Sequence, residues 1–216
     1  MSFTAFDLPT TGPTVDVCIP TVNGKEKYLE AVKESLAAQP YPHTLYISQN
    51  MPRAMAMHEA ILRGTGEIIF MLGDDTIIDR CCIARHVKHH QHTHNIAVFS
   101  YDFRAKEGVF IPDYRTTVQP PRIPPNGMMT WKEGFTAGMS FKRSYYGGTC
   151  IFDTKTFPDG WGYEDLDFVK TLYDAHGMKL LMDWDAPIFH LEHETVEEDR
   201  EKNKLRFLQK HGLTEI

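Results

Sequence analysis

The chain has 216 residues, 42% hydrophobic and 24% charged, with a formal net charge of −6. That is enough for one α/β domain with a substantial core, and the acidic balance argues against a broadly basic nucleic-acid surface. No apolar run approaches the ~20 residues needed to span a bilayer, and Met1 to Asp16 lacks the basic and apolar regions of a signal peptide, so a cytoplasmic protein is expected. The four cysteines, Cys18, Cys81, Cys82 and Cys150, have no metal or redox spacing; Cys18 and Cys150 sit in apolar contexts that suit the core.

Residues 1–14, punctuated by Pro, Thr and Gly, read as an N-terminal arm, and 15–216 as a single domain. Val15 to Pro20 reads as a first strand, followed by the polar turn Thr21 to Lys25. A helix with Tyr28, Leu29, Val32 and Leu36 on one face stops before Pro40. A second strand spans Thr44 to Ser48, and Met55, Met57, Ala60 and Ile61 mark a second helix ending near Gly64. The apolar run Ile68 to Leu72, entered through Gly64 and Gly66, then reads as a buried strand of a parallel sheet. It stops at Asp74 and Asp75, at the end of the sheet where ligands bind in such folds. Two adjacent carboxylates there suit a hard divalent cation; the alternative is capping of a following helix.

The histidine-rich stretch His86 to His94 is expected on the exposed face of a helix rather than around zinc, since no Cys or carboxylate completes a compact set. Ile96 to Tyr101 is a further strand. Residues 102–146, with Pro112, Pro120, Pro121, Pro124 and Pro125, read as a substrate-covering loop region. Its aromatic and basic residues, among them Arg104, Tyr114, Arg115, Lys132, Phe135, Arg143 and Tyr146, either cover a sugar or nucleotide or pack the loop on the domain. Gly147 to Phe152 resumes a strand pattern. Glu164 and Asp165 then open a helix through Leu166, Phe168, Val169, Leu172 and Tyr173 to Gly177. The Gly160-Trp161-Gly162 lead-in is more than capping requires and suits close approach of backbone to a ligand. A strand from Lys179 to Trp184 precedes His190 and His193, and 194–216 reads as a charged C-terminal helix.

Taken in order, these segments resemble a known pattern. Val15-Asp16-Val17-Cys18-Ile19-Pro20-Thr21-Val22-Asn23-Gly24 resembles the opening of inverting GT-A glycosyltransferases of glycosyltransferase family 2. Gly66 to Asp75 resembles the strand leading to that family's DXD-type metal motif. Gly147-Gly148 with Gly160-Trp161-Gly162-Tyr163-Glu164-Asp165 resembles the "GG … GWGxED" stretch of its chondroitin-synthase and galactosyltransferase-like branch. The resemblance covers most of residues 15–193. It implies a GT-A nucleotide-binding sandwich, an α/β fold with a mostly parallel central sheet flanked by helices.

The resemblance also implies roles. Asp75 is the principal ligand of Mn²⁺ or Mg²⁺ on the diphosphate of a nucleotide-sugar, and Asp74 faces the sugar or ribose. Asp165 is the general base and Glu164 orients it or the acceptor. His190 reaches the metal or diphosphate, with His193 in reserve. Pro20, Thr21 and Asn23 line the nucleoside pocket, Gly147, Gly148 and Trp161 lie along the donor, and Arg53 contacts a phosphate or stays on the surface. The sequence departs from the family where Ile47-Ser48-Gln49-Asn50 replaces an Asp-Asp-Gly-Ser type turn, which leaves the nucleotide open, with a UDP-sugar as first choice. The acceptor is a glycan or another hydroxyl-bearing substrate, a modified nucleobase in DNA included. A nucleotide-sugar or glycan-binding module without turnover is the alternative of another class, against which the pairing of Asp75 with Asp165 stands. A nucleotidyltransferase would bring a more Gly-rich and basic phosphate loop than Thr21 to Lys25.

Overall fold

Every residue of Val15–Thr21 (β1) and Ile68–Met71 (β3) is buried, which requires cover on both faces of the sheet. The computed structural model describes residues 8–106, 108–113, 122–148, 150–192 and 197–216. β1 lies in the parallel half of the sheet, between Thr44–Gln49 (β2) and β3. The connections are helices Glu26–Ala37 (α1) and Arg53–Arg63 (α2), whose buried positions Leu29, Val32 and Leu36, and Ala54, Met57, Ala60 and Ile61, recur at helical spacing.

Beyond Asp75 no helix is capped; a short strand follows instead, Thr76–Ile78 (β4), before helix Cys82–His92 (α3). Ile96–Lys106 (β5), Val109–Pro112 (β6), Met128–Met129 (β7) and Met139–Lys142 (β8) come next. Helix Glu164–His176 (α4), strand Lys179–His190 (β9) and helix Glu197–His211 (α5) complete the described elements. The sheet runs β2-β1-β3-β8-β5-β9-β4, with β6 on β5 and β7 on β9. Along that path β2, β1, β3, β5 and β9 share one direction, while β8 and β4 run against it. The sheet is thus mixed but mostly parallel, with flanking helices, as expected.

Three expectations need correction. Residues 102–146 are not one loop. β5 continues to Lys106, and β8 is inserted antiparallel between β3 and β5, so Lys142 and Arg143 belong to the sheet and its end. Tyr114 and Arg115 lie outside the described residues. Among the described residues from Gly147 to Phe152 there is an isolated bridge from Gly147 to Cys150 and no strand. The histidines of α3 do not all face solvent. His86 and His90 are buried against the sheet, where His86 Nδ1 and Nε2 lie 2.8 and 3.0 Å from the hydroxyls of Ser140 and Ser100, and His90 Nε2 lies 2.8 Å from Ser140. A hydroxyl accepts from one nitrogen and donates to another, so neutral rings bind there without a counter-charge. Burial holds His86 far down, at about 3.

One buried ion pair ties the sheet together. Asp16 of β1 accepts from the backbone N–H of Gly66 at 2.6 Å and from Arg143 Nη2 at 2.7 Å. Arg143, just past β8, also donates to the carbonyls of Gly66 and Ile61 at 2.6 and 2.7 Å. A β-carbon at Gly64 or Gly66 would fall within 3 Å of the Asp16 carboxylate, so both positions exclude a side chain. Arg143→Ala leaves Asp16 buried without its cation and should cost about 3–5 kcal/mol of stability. Urea unfolding measures it; a loss below about 1 kcal/mol would show that the pair does not hold the sheet.

Candidate functional site

The parallel register of β1 and β3 sets Cys18 opposite Met71. Carried past the strand ends, that offset brings Thr21 to Asp74, and Thr21 Oγ1 donates to Asp74 Oδ2 at 2.7 Å. The turn after β1 is braced from the second strand. Asn50, at φ 58°, donates its N–H to the carbonyl of Thr21 at 3.1 Å, and its side-chain oxygen accepts from Asn23 N–H at 3.1 Å. The short Ile47–Asn50 connection therefore shapes the turn that borders the site.

From the far edge of the sheet, β4 pairs antiparallel with β9 and sets Thr76 opposite His190. The carbonyl of Asp75 accepts from Leu191 N–H at 2.8 Å, so Asp75 and His190 come from adjoining strand ends. His190 Nδ1 lies 2.6 Å from Asp102 Oδ1, and Asp102 is buried. The contact occupies Nδ1 and fixes the orientation of the ring, leaving Nε2 as its other nitrogen.

Thr21, Asp74, Asp75 and His190 line a cavity of about 550 Å³ together with Pro20, Lys25, Arg53, Phe135, Trp161, Glu164 and Asp165. Lys25 Nζ lies 3.7 Å from Asp75 Oδ2 and has no hydrogen-bond partner among the described residues. Arg53, at the first turn of α2, reaches Glu164 Oε1 at 3.0 Å. The other Glu164 oxygen is buried and has no hydrogen-bond partner among the described residues. Burial, with Asp165 beside it, lifts the Glu164 carboxyl to about 7 against the opposing pull of Arg53. Burial also raises the Asp74 carboxyl, as does the charge of Asp75, while the Thr21 hydroxyl works against the shift.

Nine of the residues singled out by sequence converge on this cavity: Pro20, Thr21, Arg53, Asp74, Asp75, Trp161, Glu164, Asp165 and His190. Asn23, Gly147 and Gly148 do not line it. Asn23 is an exposed brace of the turn, and the two glycines form an exposed turn with open space around them, so no contact with a donor is assigned to them. His193 lies outside the described residues. Arg104 and Phe135, two of the 102–146 residues expected to cover a sugar or nucleotide or to pack the loop, line it as well; Lys25, Met51 and Ala137 were not anticipated, and for Lys25 the available signal was a lone cation in the turn after the first strand. The Gly160 and Gly162 positions have φ of 72° and 89°, and β-carbons there would meet Asp199 and Arg200 of α5 at 3.1 and 3.2 Å. Their small size thus serves the seating of α5 as well as the cavity wall. Tyr163, also left-handed at φ 65°, turns the chain into α4 and presents Glu164 and Asp165.

Asp165 lines a second cavity as well. It measures about 590 Å³ and shares Arg104, Phe135, Trp161, Gly162 and Asp165 with the first. One carboxylate therefore stands where the two spaces meet.

The residues present suit a divalent cation in chemistry. Asp75 supplies carboxylate oxygen, and a ligating histidine usually has its other nitrogen held by a carboxylate, as His190 has by Asp102. Among the described residues no group of three or more His, Cys, Asp or Glu side chains forms a closed cage. A cation held by two protein groups leaves its remaining positions for phosphate oxygens and water, as Mg²⁺ commonly does.

No protein-family model matches the chain, and no curated protein matches its sequence. Solved structures do match in fold. S. aureus TarS superposes with a TM-score of 0.63 at 13% identity, over 94% of this chain and 44% of its own. The TarS fragment 1–349 in complex with UDP gives 0.64 at 13%, covering 90% of this chain and 65% of that one. Its complex with UDP-GlcNAc gives 0.63 at 14%, covering 85% and 60%. The chain thus spans about half to two thirds of the length of these neighbours. The likeness establishes a GT-A-like α/β fold.

The raised Glu164 value carries a pH consequence. Its folded value near 7 lies above the ordinary 4.5, so between those limits the folded state keeps a proton that the unfolded chain has released. Its contribution to stability is present below about pH 4.5 and is lost as pH rises toward 7. Between about pH 5 and 7.5 wild-type urea midpoints should fall relative to those of Glu164→Gln. Parallel curves would place Glu164 at its ordinary value.

Proposed function

We propose that this chain is an inverting, metal-dependent glycosyltransferase that moves a sugar from a UDP-sugar to an acceptor hydroxyl. The observation that carries the reading is the position of Asp165, shared by a cavity bearing Asp74, Asp75 and His190 and by a second open to another molecule. A binder has no use for a carboxylate at such a junction; a transferase needs a base there. UDP and UDP-GlcNAc in the TarS complexes support a uridine diphosphate sugar as donor for the same fold.

In this reading Pro20 and Thr21 border the nucleoside end of the first cavity, and Asp74 faces the ribose or sugar. Asp75 and His190 are the residues that would hold Mn²⁺ or Mg²⁺, which when bound supplies positive charge to the diphosphate. Lys25 and Arg53 bring two further cations to the same cavity, where charge builds on the leaving group. Asp165 takes the proton from the acceptor hydroxyl as its oxygen attacks the anomeric carbon. The bond from that carbon to the diphosphate oxygen breaks on the opposite side, and UDP leaves with the electron pair. A single in-line displacement inverts the configuration. Glu164, bound to Arg53 through one oxygen, supports Asp165 from behind and holds α2 against the start of α4.

Asp165→Asn should lower transfer by about 10²–10⁴-fold while UDP affinity with Mn²⁺ stays within about twofold. Asp75→Ala should weaken UDP binding in Mn²⁺ and leave the metal-free affinity unchanged. Calorimetric titration of UDP and a product assay read both. Full transfer by Asp165→Asn would remove the base assignment, and an unchanged Mn²⁺ dependence in Asp75→Ala would remove the metal assignment.

A further inference from the structure

Lys25 is held differently from the other cations that line the first cavity. Arg53 is committed to Glu164 at 3.0 Å, and Arg104 meets Asp102 and Asp113 at 3.3 and 2.7 Å. Lys25 Nζ instead lies 3.7 Å from Asp75 Oδ2, within the range of an ion pair but beyond that of a hydrogen bond. The ammonium is shut off from water, and none of its three N–H groups has an acceptor among the described residues. An ammonium in that condition has given up its hydration without recovering it elsewhere, which costs free energy.

Its resting place is nonetheless built. Lys25 closes the turn after β1 and precedes α1. The ammonium stands 5.0 Å from the centre of the Tyr28 ring, whose face attracts a cation. The Tyr28 hydroxyl donates to the carbonyl of Glu192 at 3.2 Å, two residues past His190. The seat is thus made by the Asp75 carboxylate and by a ring tied to the segment that follows His190, and these are the two residues that would hold a divalent ion. The charge of Lys25 reaches Asp74 too: burial raises that carboxyl, and Lys25 is among the groups that draw it back. An ordinary surface lysine keeps its head in water. This one does not.

A divalent ion and this ammonium would share one carboxylate, and two cations so placed repel each other. A diphosphate removes the conflict. Its oxygens accept the N–H groups that Lys25 has unfilled, and its negative charge offsets both cations. With three donors on a flexible stem, a lysine can give one to a phosphate oxygen and keep another toward Asp75. We propose that Lys25 is a resident counter-ion of Asp75, which keeps divalent ions off that carboxylate until a nucleoside diphosphate takes up its ammonium. The ion then enters with the nucleotide or after it, not before. The inference rests on the reading of the first cavity as a donor site with Asp75 as metal ligand, and adds to that reading an order of loading. It also gives the diphosphate a contact that persists without metal.

Two titrations of the full chain test this, and they should move in opposite directions. Mn²⁺ alone, followed by the paramagnetic resonance of the free ion, should bind Lys25→Met at least about fivefold more tightly than wild type. UDP, titrated by calorimetry in chelator, should bind the same variant at least about tenfold more weakly. Lys25→Arg, which keeps the charge, should hold Mn²⁺ within about twofold of wild type. Lys25→Gln gives the same reading if Lys25→Met fails to fold. A merely structural role for Lys25 would lower both affinities together, so that outcome overturns the proposal. So would a neutral variant with no gain of Mn²⁺ affinity, or wild-type UDP binding that vanishes in chelator. A parallel UDP titration in Mn²⁺ separates the two readings. UDP binding that needs Mn²⁺ but not Lys25 would sink this proposal alone, whereas UDP binding absent from every sample would sink the donor reading itself.

Discussion

The Asp16–Arg143 ion pair is the contact on which the rest of the sheet depends. It joins β1, the end of α2, the start of β3 and the end of β8, four segments that are distant in sequence. A carboxylate at a buried position is tolerated only if its oxygens are satisfied, and here a backbone amide and a guanidinium satisfy them. Glycine at 64 and 66 follows from the same geometry, since the carboxylate occupies the space a side chain would need. With that end of the strands pinned, their other ends are fixed in register. Thr21, Asp74 and Asp75 then emerge side by side at the opposite edge.

The site is built by convergence of charges that would be costly apart. Asp74, Asp75, Glu164 and Asp165 stand around one cavity with Lys25 and Arg53. Like charges this close raise one another's proton affinity, and the upward shifts of Asp74 and Glu164 report that crowding together with burial. An arrangement of this kind lowers stability for the sake of what it binds, and a cationic or metal-bearing ligand relieves it.

How much of this was legible in the sequence depended on how local the cause was. β1 and β3 could be read because a strand buried on both faces writes a continuous apolar run. α4 could be read because its apolar spacing and its acidic first turn are local too. β8 could not, because Met139, Ser140, Phe141 and Lys142 are a strand only through their pairing with β3 and β5. His86 and His90 looked like surface histidines, since their hydroxyl partners at Ser140 and Ser100 lie elsewhere in the chain. The glycines flanking Trp161 signalled an unusual backbone correctly, but nothing nearby in sequence revealed that α5 is what packs on them. Gly147 and Gly148 show the reverse case, a motif whose residues lie apart from the cavity that the neighbouring motif reaches.

The seating of α5 on Gly160 and Gly162 divides the labour of the molecule. The floor of the first cavity comes from the ends of β1, β3 and β9, which are locked into the sheet and cannot vary without loss of the fold. One side of the second, Glu197, Arg200 and Lys204, comes from one face of a helix whose buried anchors are Asn203 and Phe207. Substitutions at the remaining positions of that face reach no strand. Such a chain can change the wall of the second cavity by drift along a single helix while the strand ends of the first stay as they are. Freedom to change and the need to stay are thereby lodged in different parts of one polypeptide.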